Sequence, residues 1–314
     1  MVRNATFCAC LCAAFFSLSI ASCNKFEGSQ TVPAYIHIDS ISVECDYYTY
    51  GANTSNITDA WVYVDDQIIG CYELPATFPV LKRGKHKVSV YAGICVNGIG
   101  DARSYYPFYK SKDYYELNLV EDSIINLNPV VNYYEIDLLN IWTDDFETGT
   151  SLVPLAESDT GIVCIDGPEA WNTDNSFYSG KVVLPPDSLD FVLASSEEFT
   201  FHQNLQGDYC MLEMDYKCND TFFVGLMYYK NYSLTQWPLV KVLPTDKTHT
   251  VPEIWKKMYV NLGPLMTENE TASYFKLYFT SNLDVHPSYE QPDYHPIDEQ
   301  RYYYFDNLKV IYRR

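Results

Sequence analysis

Polar and apolar positions alternate along most of this chain with a period of two, in short runs. "AYIHIDSISVEC" sets Tyr35, His37 and Asp39 against Ile36, Ile38 and Ser40, and "AWVYVDDQIIG" sets Val62 and Val64 against Trp61 and Tyr63 before a turn at Asp65-Asp66. "GKHKVSVYAGI" places His86, Val88 and Val90 opposite Lys85, Lys87 and Ser89. A period of two is the side-chain repeat of a strand, and the abundance of Tyr, Val, Ile, Phe and Thr in these runs favours the same state. Strands this short, at such close intervals, predict a β-sandwich over residues 33–133. Beyond "NPVVNYYEIDLLNIW", with residues 134–142 read as a linker, the runs "YSGKVVL", "YCMLEMDYKC", "FFVGLMYY", "WKKMYVNL", "SYFKLYF" and "YYYFDNLKVIY" predict a second sandwich over residues 143–314.

The second set also predicts which side chains leave the core. In "YCMLEMDYKC", Cys210, Leu212, Met214 and Tyr216 share one face, while Met211, Glu213, Asp215 and Lys217 share the other. In "YFKLYF", Phe275, Leu277 and Phe279 read as core, and Tyr274, Lys276 and Tyr278 look outward. "FFVGLMYY" is apolar on both faces, with Tyr229 at the end of its outer row. If these outer rows are neighbours in one sheet, Tyr229, Tyr274 and Tyr278 with Glu213, Asp215 and Lys217 form a ligand or partner face. Flat rings among hydrogen-bonding groups suit a sugar or a protein partner. Cross-strand tyrosine pairing that only stabilises the sheet is the alternative.

The N-terminus changes the picture of where the chain works. Arg3 precedes the apolar run Cys8–Ile20, which is too short for the roughly 20 residues that span a bilayer. Residues 1–22 therefore read as a signal peptide. Ile20, Ala21 and Ser22 stand before Cys23, a pattern that resembles the bacterial lipobox, and the resemblance implies that Cys23 is the acylated first mature residue. A eukaryotic secretory signal with a chance cysteine is the alternative. Residues 23–32, polar with Gly, Ser and Pro, read as a flexible tether. Removing residues 1–22 takes away Arg3 and no acid, so the formal charge of −20 becomes −21. Such a surface, with no basic cluster along the sequence, argues against nucleic-acid binding. Of the ten cysteines, six remain outside the signal and anchor: Cys45, Cys71, Cys95, Cys164, Cys210 and Cys218. No CxxC spacing occurs, and most sit in strand patterns, so buried thiols are the favoured reading, although an export compartment permits disulfides.

Longer patterns carry resemblances. "VYVDDQIIGCYELPATFPVLKRGKHKVSV" resembles PEGA-type Ig-like envelope modules through Val62, Val64, Asp65, Gly70, Pro75, Leu81, Gly84, His86, Val88 and Val90, with Asp66 where that pattern has Gly. "SNITDAWVYVDDQIIGCYELPATFPVL" with "YAGICVNGIGDARSYYPFY" is similar to a type of Bacteroidota outer-membrane lipoprotein. "DDFETG" at Asp144–Gly149, the Trp-Lys-Lys before a strand and the closing "YYYFDNLKVIY" resemble carbohydrate-binding-module jelly rolls. Together these imply an all-β chain, an N-terminal Ig-like β-sandwich followed by a C-terminal β jelly roll. The jelly-roll resemblance also implies a structural Ca²⁺ site at Glu147 and Asp306, where the first and last strands meet.

Compact catalytic motifs are absent from the sequence: it has no H-E-x-x-H, G-x-S-x-G, P-loop or G-x-G-x-x-G. His286 and His295, in the proline-rich "DVHPSYEQPDYHPIDEQ", are a candidate metal pair. The expectation is a non-enzymatic, outer-membrane lipid-anchored protein that binds another envelope protein, as an adaptor of an assembly or transport machine. The alternative is a surface glycan-binding lipoprotein, followed by a hydrolase with its site in the jelly-roll loops.

Overall fold

The computed structural model describes residues 32–173, 175–200, 210–246, 251–281 and 299–314. Cys23, His286 and His295 lie outside the described residues. Ten strands make the N-terminal unit: β1 Ala34–Ile38, β2 Ser42–Val43, β3 Asp59–Val64, β4 Gln67–Glu73, β5 Ala76–Val80, β6 Gly84–Cys95, β7 Arg103–Tyr105, β8 Lys112–Leu119, β9 Ile124–Leu127 and β10 Val130–Val131. They form one sheet in the order β5-β1-β9, another in the order β4-β3-β6-β7 with β8 also on β6, and a short β2-β10 pair. The predicted alternation holds where it was clearest. Ile36, Ile38, Val62, Val64, Val88 and Val90 are buried between the sheets, while Trp61, Tyr63 and Tyr91 stay partly exposed.

The hairpin between β3 and β4 shows why Asp66 can stand in a glycine's place. Asp65 and Asp66 have φ of 50° and 62°, which is the left-handed pair that a two-residue hairpin turn needs. Aspartate tolerates that conformation better than most residues. Asp65 is held by Lys82 at 2.8 Å and by His86 Nδ1 at 2.7 Å, and these bonds lower its carboxyl to about 2.

Among the described residues eleven strands follow: β11 Leu139–Asp144, β12 Leu152–Pro154, β13 Ile162–Ile165, β14 Ser179–Leu184, β15 Val192–Ser195, β16 Cys210–Cys218, β17 Phe222–Lys230, β18 Ser233–Val242, β19 Lys256–Asn261, β20 Tyr274–Thr280 and β21 Arg301–Arg313. Two antiparallel sheets stack as a jelly-roll sandwich. One runs β13-β14-β21-β16-β19 with β11 also on β21, and the other runs β12-β15-β20-β17-β18. The core between them takes Cys210, Leu212, Met214, Phe222, Val224, Leu226, Phe275, Leu277 and Phe279, the rows that alternation marks as inward. Part of the expected linker is strand: residues 139–144 pair along β21 from Leu139↔Arg313 to Asp144↔Leu308. The long β21 takes β14 along its first half and β11 along its second, so the connection is absorbed into the sheet.

A close backbone approach fixes the β17-β18 pair. Pairing slips between Val224 and Gly225, and a Cβ on Gly225 would stand 2.0 Å from the Trp237 carbonyl oxygen. Gly225→Ala must push two paired strands apart, so a loss of about 2 kcal/mol or more is expected in a denaturant melt.

The two units are not beads on a string. Met211, Tyr259 and Ile311, all from the second sandwich, belong to the hydrophobic core of the first. Past Cys95 the chain reaches the edge of β19, where Asn97 N–H donates to the Tyr259 carbonyl at 2.8 Å and Asn261 N–H donates to Asn97 Oδ1 at 2.9 Å. The N-terminal unit thereby covers one outer face of the jelly roll.

Candidate functional site

The expected ligand face does not exist as one surface. Glu213, Asp215 and Lys217 lie on β16 in the six-stranded sheet, whereas Tyr229 on β17 and Tyr274 and Tyr278 on β20 lie in the five-stranded sheet across the core. Alternation assigned each row correctly to the side away from the core. The error was to join rows from two different sheets, because period two says nothing about which strands are neighbours.

Glu213 is fully buried where the two units meet. Its Oε1 accepts from the Tyr106 hydroxyl at 2.6 Å and the Tyr133 hydroxyl at 2.7 Å. Oε2 faces Lys257 at 3.3 Å and Lys309 at 3.5 Å. Strand register produces this cluster, since Lys309 is the partner of Glu213 on β21 and Lys257 the partner of Asp215 on β19. Lys309 also donates to the Tyr133 hydroxyl at 2.6 Å and the Ala52 carbonyl at 3.2 Å. Burial opposes the Glu213 charge, but Lys309, Lys257 and the two tyrosine hydroxyls outweigh it and hold the carboxyl below its ordinary range. Asp215 accepts from Thr54 at 2.6 Å and from Asn307 at 2.9 Å, and burial raises its carboxyl. Around Glu213 this face is an internal joint between the two units.

On the opposite sheet, Tyr229 and Tyr274 are register partners whose rings stack 5.6 Å apart at 5°. Tyr278 is 0% exposed, and its hydroxyl donates to Gln236 at 3.2 Å. It lies on the outer row, as alternation implies, but is covered there in a small cluster with Val192, Ala194 and Met227. Tyr229→Ala, with only the half-exposed stack to lose, should cost about 1 kcal/mol in a chemical melt, whereas Tyr278→Ala should cost about 3 kcal/mol.

A concave site lies at the seam between the units. A cleft of about 830 Å³ opens there, with Thr54, Ser55 and Asn56 and the turn around Asn97 on the N-terminal side. On the jelly-roll side it has Trp171, Trp255, Lys241, Lys256, Lys257 and Asp215. A shallower hollow of about 240 Å³ adjoins it and shares Asn97, Ile99 and Lys241.

The aromatic wall is braced from below. Trp171 and Trp255 meet edge to face, with centroids 5.6 Å apart. The Lys217 ammonium sits between Trp255 at 5.1 Å and Tyr304 at 4.5 Å, so this expected ligand residue supports the cleft wall instead of facing the ligand. Tyr304 donates to Glu169 at 2.7 Å, and Lys181 reaches the same Glu169 oxygen at 2.5 Å. Cation–π contacts of this kind contribute roughly 0.5 to 2 kcal/mol each, enough to hold an indole in one orientation. The Trp171 indole N–H is buried and has no acceptor among the described residues. Asp215 alone among the sequence-selected residues lines the cleft. The Trp-Lys-Lys run at Trp255–Lys257 was legible as the start of a strand, but Trp171, Asn56 and Asn97 come from distant loops that no spacing rule connects.

Glu147 lies in the turn after β11, and Asp306 lies on β21. Glu147 Oε1 accepts from the backbone N–H of Phe177 at 2.6 Å and of Tyr178 at 2.8 Å. Asp306 accepts from the Ser179 hydroxyl at 2.5 Å and the Asn307 N–H at 2.6 Å. Burial lifts the Asp306 carboxyl to about 8, Ser179 and Asn307 work against that, and Asp215 and Glu147 add to it. Among the described residues no lysine or arginine pairs with Asp306, and no group of three or more His, Cys, Asp or Glu gathers as a metal site.

Among the described residues all six cysteines are free thiols. Cys210 and Cys218 are buried at the two ends of β16, while Cys71 and Cys164 are exposed, against the expectation that most are inward.

No protein-family model matches the chain, and neither does any curated protein. Solved structures similar to it include the K1 cleaved adhesin domain of Lys-gingipain from Porphyromonas gingivalis, 11% identical, covering 55% of this chain and 97% of that one at a TM-score of 0.33. A family 11 carbohydrate-binding module from Clostridium thermocellum, in complex with a mixed-linked tetrasaccharide, is 9% identical over 55% of this chain and 95% of its own at a TM-score of 0.33. A family 61 module in complex with β-1,4-galactotriose is 13% identical over 54% of this chain and 94% of its own at a TM-score of 0.32. At these scores the similarity says nothing about what this chain binds.

Proposed function

We propose that this chain is a non-enzymatic glycan-binding protein, held at the outer membrane by lipid on Cys23, and that it grips its glycan in the cleft between the Ig-like unit and the jelly roll. One observation carries the reading: two braced indoles, Trp171 and Trp255, share a concave site with the amide side chains of Asn56 and Asn97. Sugar rings present apolar C–H faces that pack on indoles and equatorial hydroxyls that need side-chain donors and acceptors, and a concave apolar wall with a few placed polar groups meets both needs. The adaptor expectation used the same face of Tyr229, Tyr274, Tyr278, Glu213, Asp215 and Lys217 as its glycan alternative, and the N-terminal unit covers the Glu213 part of it. Native affinity electrophoresis through gels containing a panel of polysaccharides is the direct test: retardation by at least one, abolished by free oligosaccharide, is expected, and uniform mobility in every gel would refute glycan binding. Lipid attachment is tested by Cys23→Ala, which should release the protein from the membrane fraction.

A structural Ca²⁺ at Glu147 and Asp306 belongs to the same proposal. The donors are all hard oxygens, and Asp306 is a buried acid beside other acids with no lysine or arginine paired to it among the described residues. A bound ion would supply that charge, with backbone carbonyls completing the six to eight oxygens that calcium takes. EDTA should then lower the melting temperature and excess Ca²⁺ should restore it, while identical melts would remove the ion from the account.

A further inference from the structure

The charge of the cleft is opposite to that of the protein around it. The chain carries a formal −20, yet the cleft is lined by Lys241, Lys256 and Lys257 against the single acid Asp215. Of the three, Lys257 is committed to Glu213 at 3.3 Å, Asp215 at 3.8 Å and the Thr54 hydroxyl at 2.8 Å. Lys241 and Lys256 have no acidic partner among the described residues; Lys256 is exposed and Lys241 half-buried. They come from different strands, β18 and β19, and no run of the sequence places them together. In a surface this acidic, two ammonium groups with no acidic partner among the described residues, set beside an aromatic cleft, attract an anion locally.

We propose that the ligand of this cleft is an acidic glycan, its sugars carrying carboxylate or sulfate groups that pair with Lys241 and Lys256 while the ring faces rest on Trp171 and Trp255. This rests on the glycan-binding reading above and adds the ligand's charge to it. The surrounding negative field raises the selectivity of the arrangement. The acidic surface repels an extended polyanion, so a chain whose anionic groups are spaced to reach both lysines gains most by binding at the cleft, and a neutral glycan forms no ion pair with them. The attraction is solvent-exposed and so fades as salt is added.

The test compares four probes on the full chain by titration calorimetry: polygalacturonate for the carboxylate, chondroitin sulfate for the sulfate, neutral galactan, and poly-L-glutamate as a polyanion without sugar. The expected result is binding to one or both acidic glycans, weakened by roughly tenfold in the surface variant Lys241→Gln/Lys256→Gln and weakened by added NaCl in the parent but little in the variant. Trp255→Phe, which keeps the wall packed but narrows it, should weaken the same glycan without changing its salt dependence. Binding of galactan as tight as that of either acidic glycan, with the lysine variant unchanged, would overturn the charge proposal and leave glycan binding standing. Equal binding of poly-L-glutamate would overturn it too, by showing a simple ion-exchange surface. No binding to any sugar polymer would sink both.

Discussion

Glu213→Ala is expected to be among the most destabilising single substitutions in this protein, lowering the unfolding free energy by about 3 to 5 kcal/mol and the melting temperature by roughly 10 °C. The alanine leaves Lys309 buried without its counter-ion and Lys257 with only Asp215 at 3.8 Å, and it strips the Tyr106 and Tyr133 hydroxyls of an acceptor. Because those four residues come from both units, and Met211, Tyr259 and Ile311 tie the same seam into the N-terminal core, the whole chain should melt together at the lower temperature. Acid should act through the same group. The folded chain binds the Glu213 proton more weakly than the unfolded one, so the stability it contributes is complete above its ordinary value of 4.5 and is lost as pH falls through the lower folded value. Glu213→Gln, compared with the parent by denaturant melts between pH 3 and 7, should lose that part of the acid dependence. A variant as stable as the parent would show that the cluster does not hold the units together.

Trp255→Ala should have the largest effect on binding, abolishing retardation in polysaccharide gels or weakening affinity by about 2 kcal/mol or more, as truncation of a central aromatic anchor does. The indole touches Trp171, rests over Lys217 and meets the Tyr304 ring at 6.3 Å, so alanine removes the apolar wall and frees the lysine beneath it. The same substitution removes partly buried surface, so its melt must be read beside its mobility. Unfolding midpoints within a few degrees of the parent with lost retardation assign the loss to the cleft. Retained retardation would place the sugar elsewhere.

The contrast between Glu213 and Trp255 shows what could be read from the sequence. Strand alternation identified the inward rows of β16, β17 and β20 and thereby the sandwich core, because burial enforces period two on every residue of a half-buried strand. It also set Glu213, Asp215 and Lys217 apart from that core. It could not reveal that a second module covers them. The signal that warns of it is composition: the outer row of β16 carries Met211, and those of β19 and β21 carry Tyr259 and Ile311 beside lysines, which is more apolar than a solvated face requires. The cleft was harder still. Lys241 and Lys256, or Trp171 and Trp255, become neighbours only through loop paths and the packing of one unit on the other, and neither has a sequence period.

The most direct measurement is a crystal structure of the full chain with an acidic oligosaccharide. The account predicts sugar density in the cleft between the units, with a ring against Trp255, hydroxyls within hydrogen-bond distance of Asn56 or Asn97, and an anionic group at Lys241 or Lys256. Density over the Tyr229–Tyr274 stack, or an empty cleft in a crystal grown with saturating ligand that binds in solution, would contradict it.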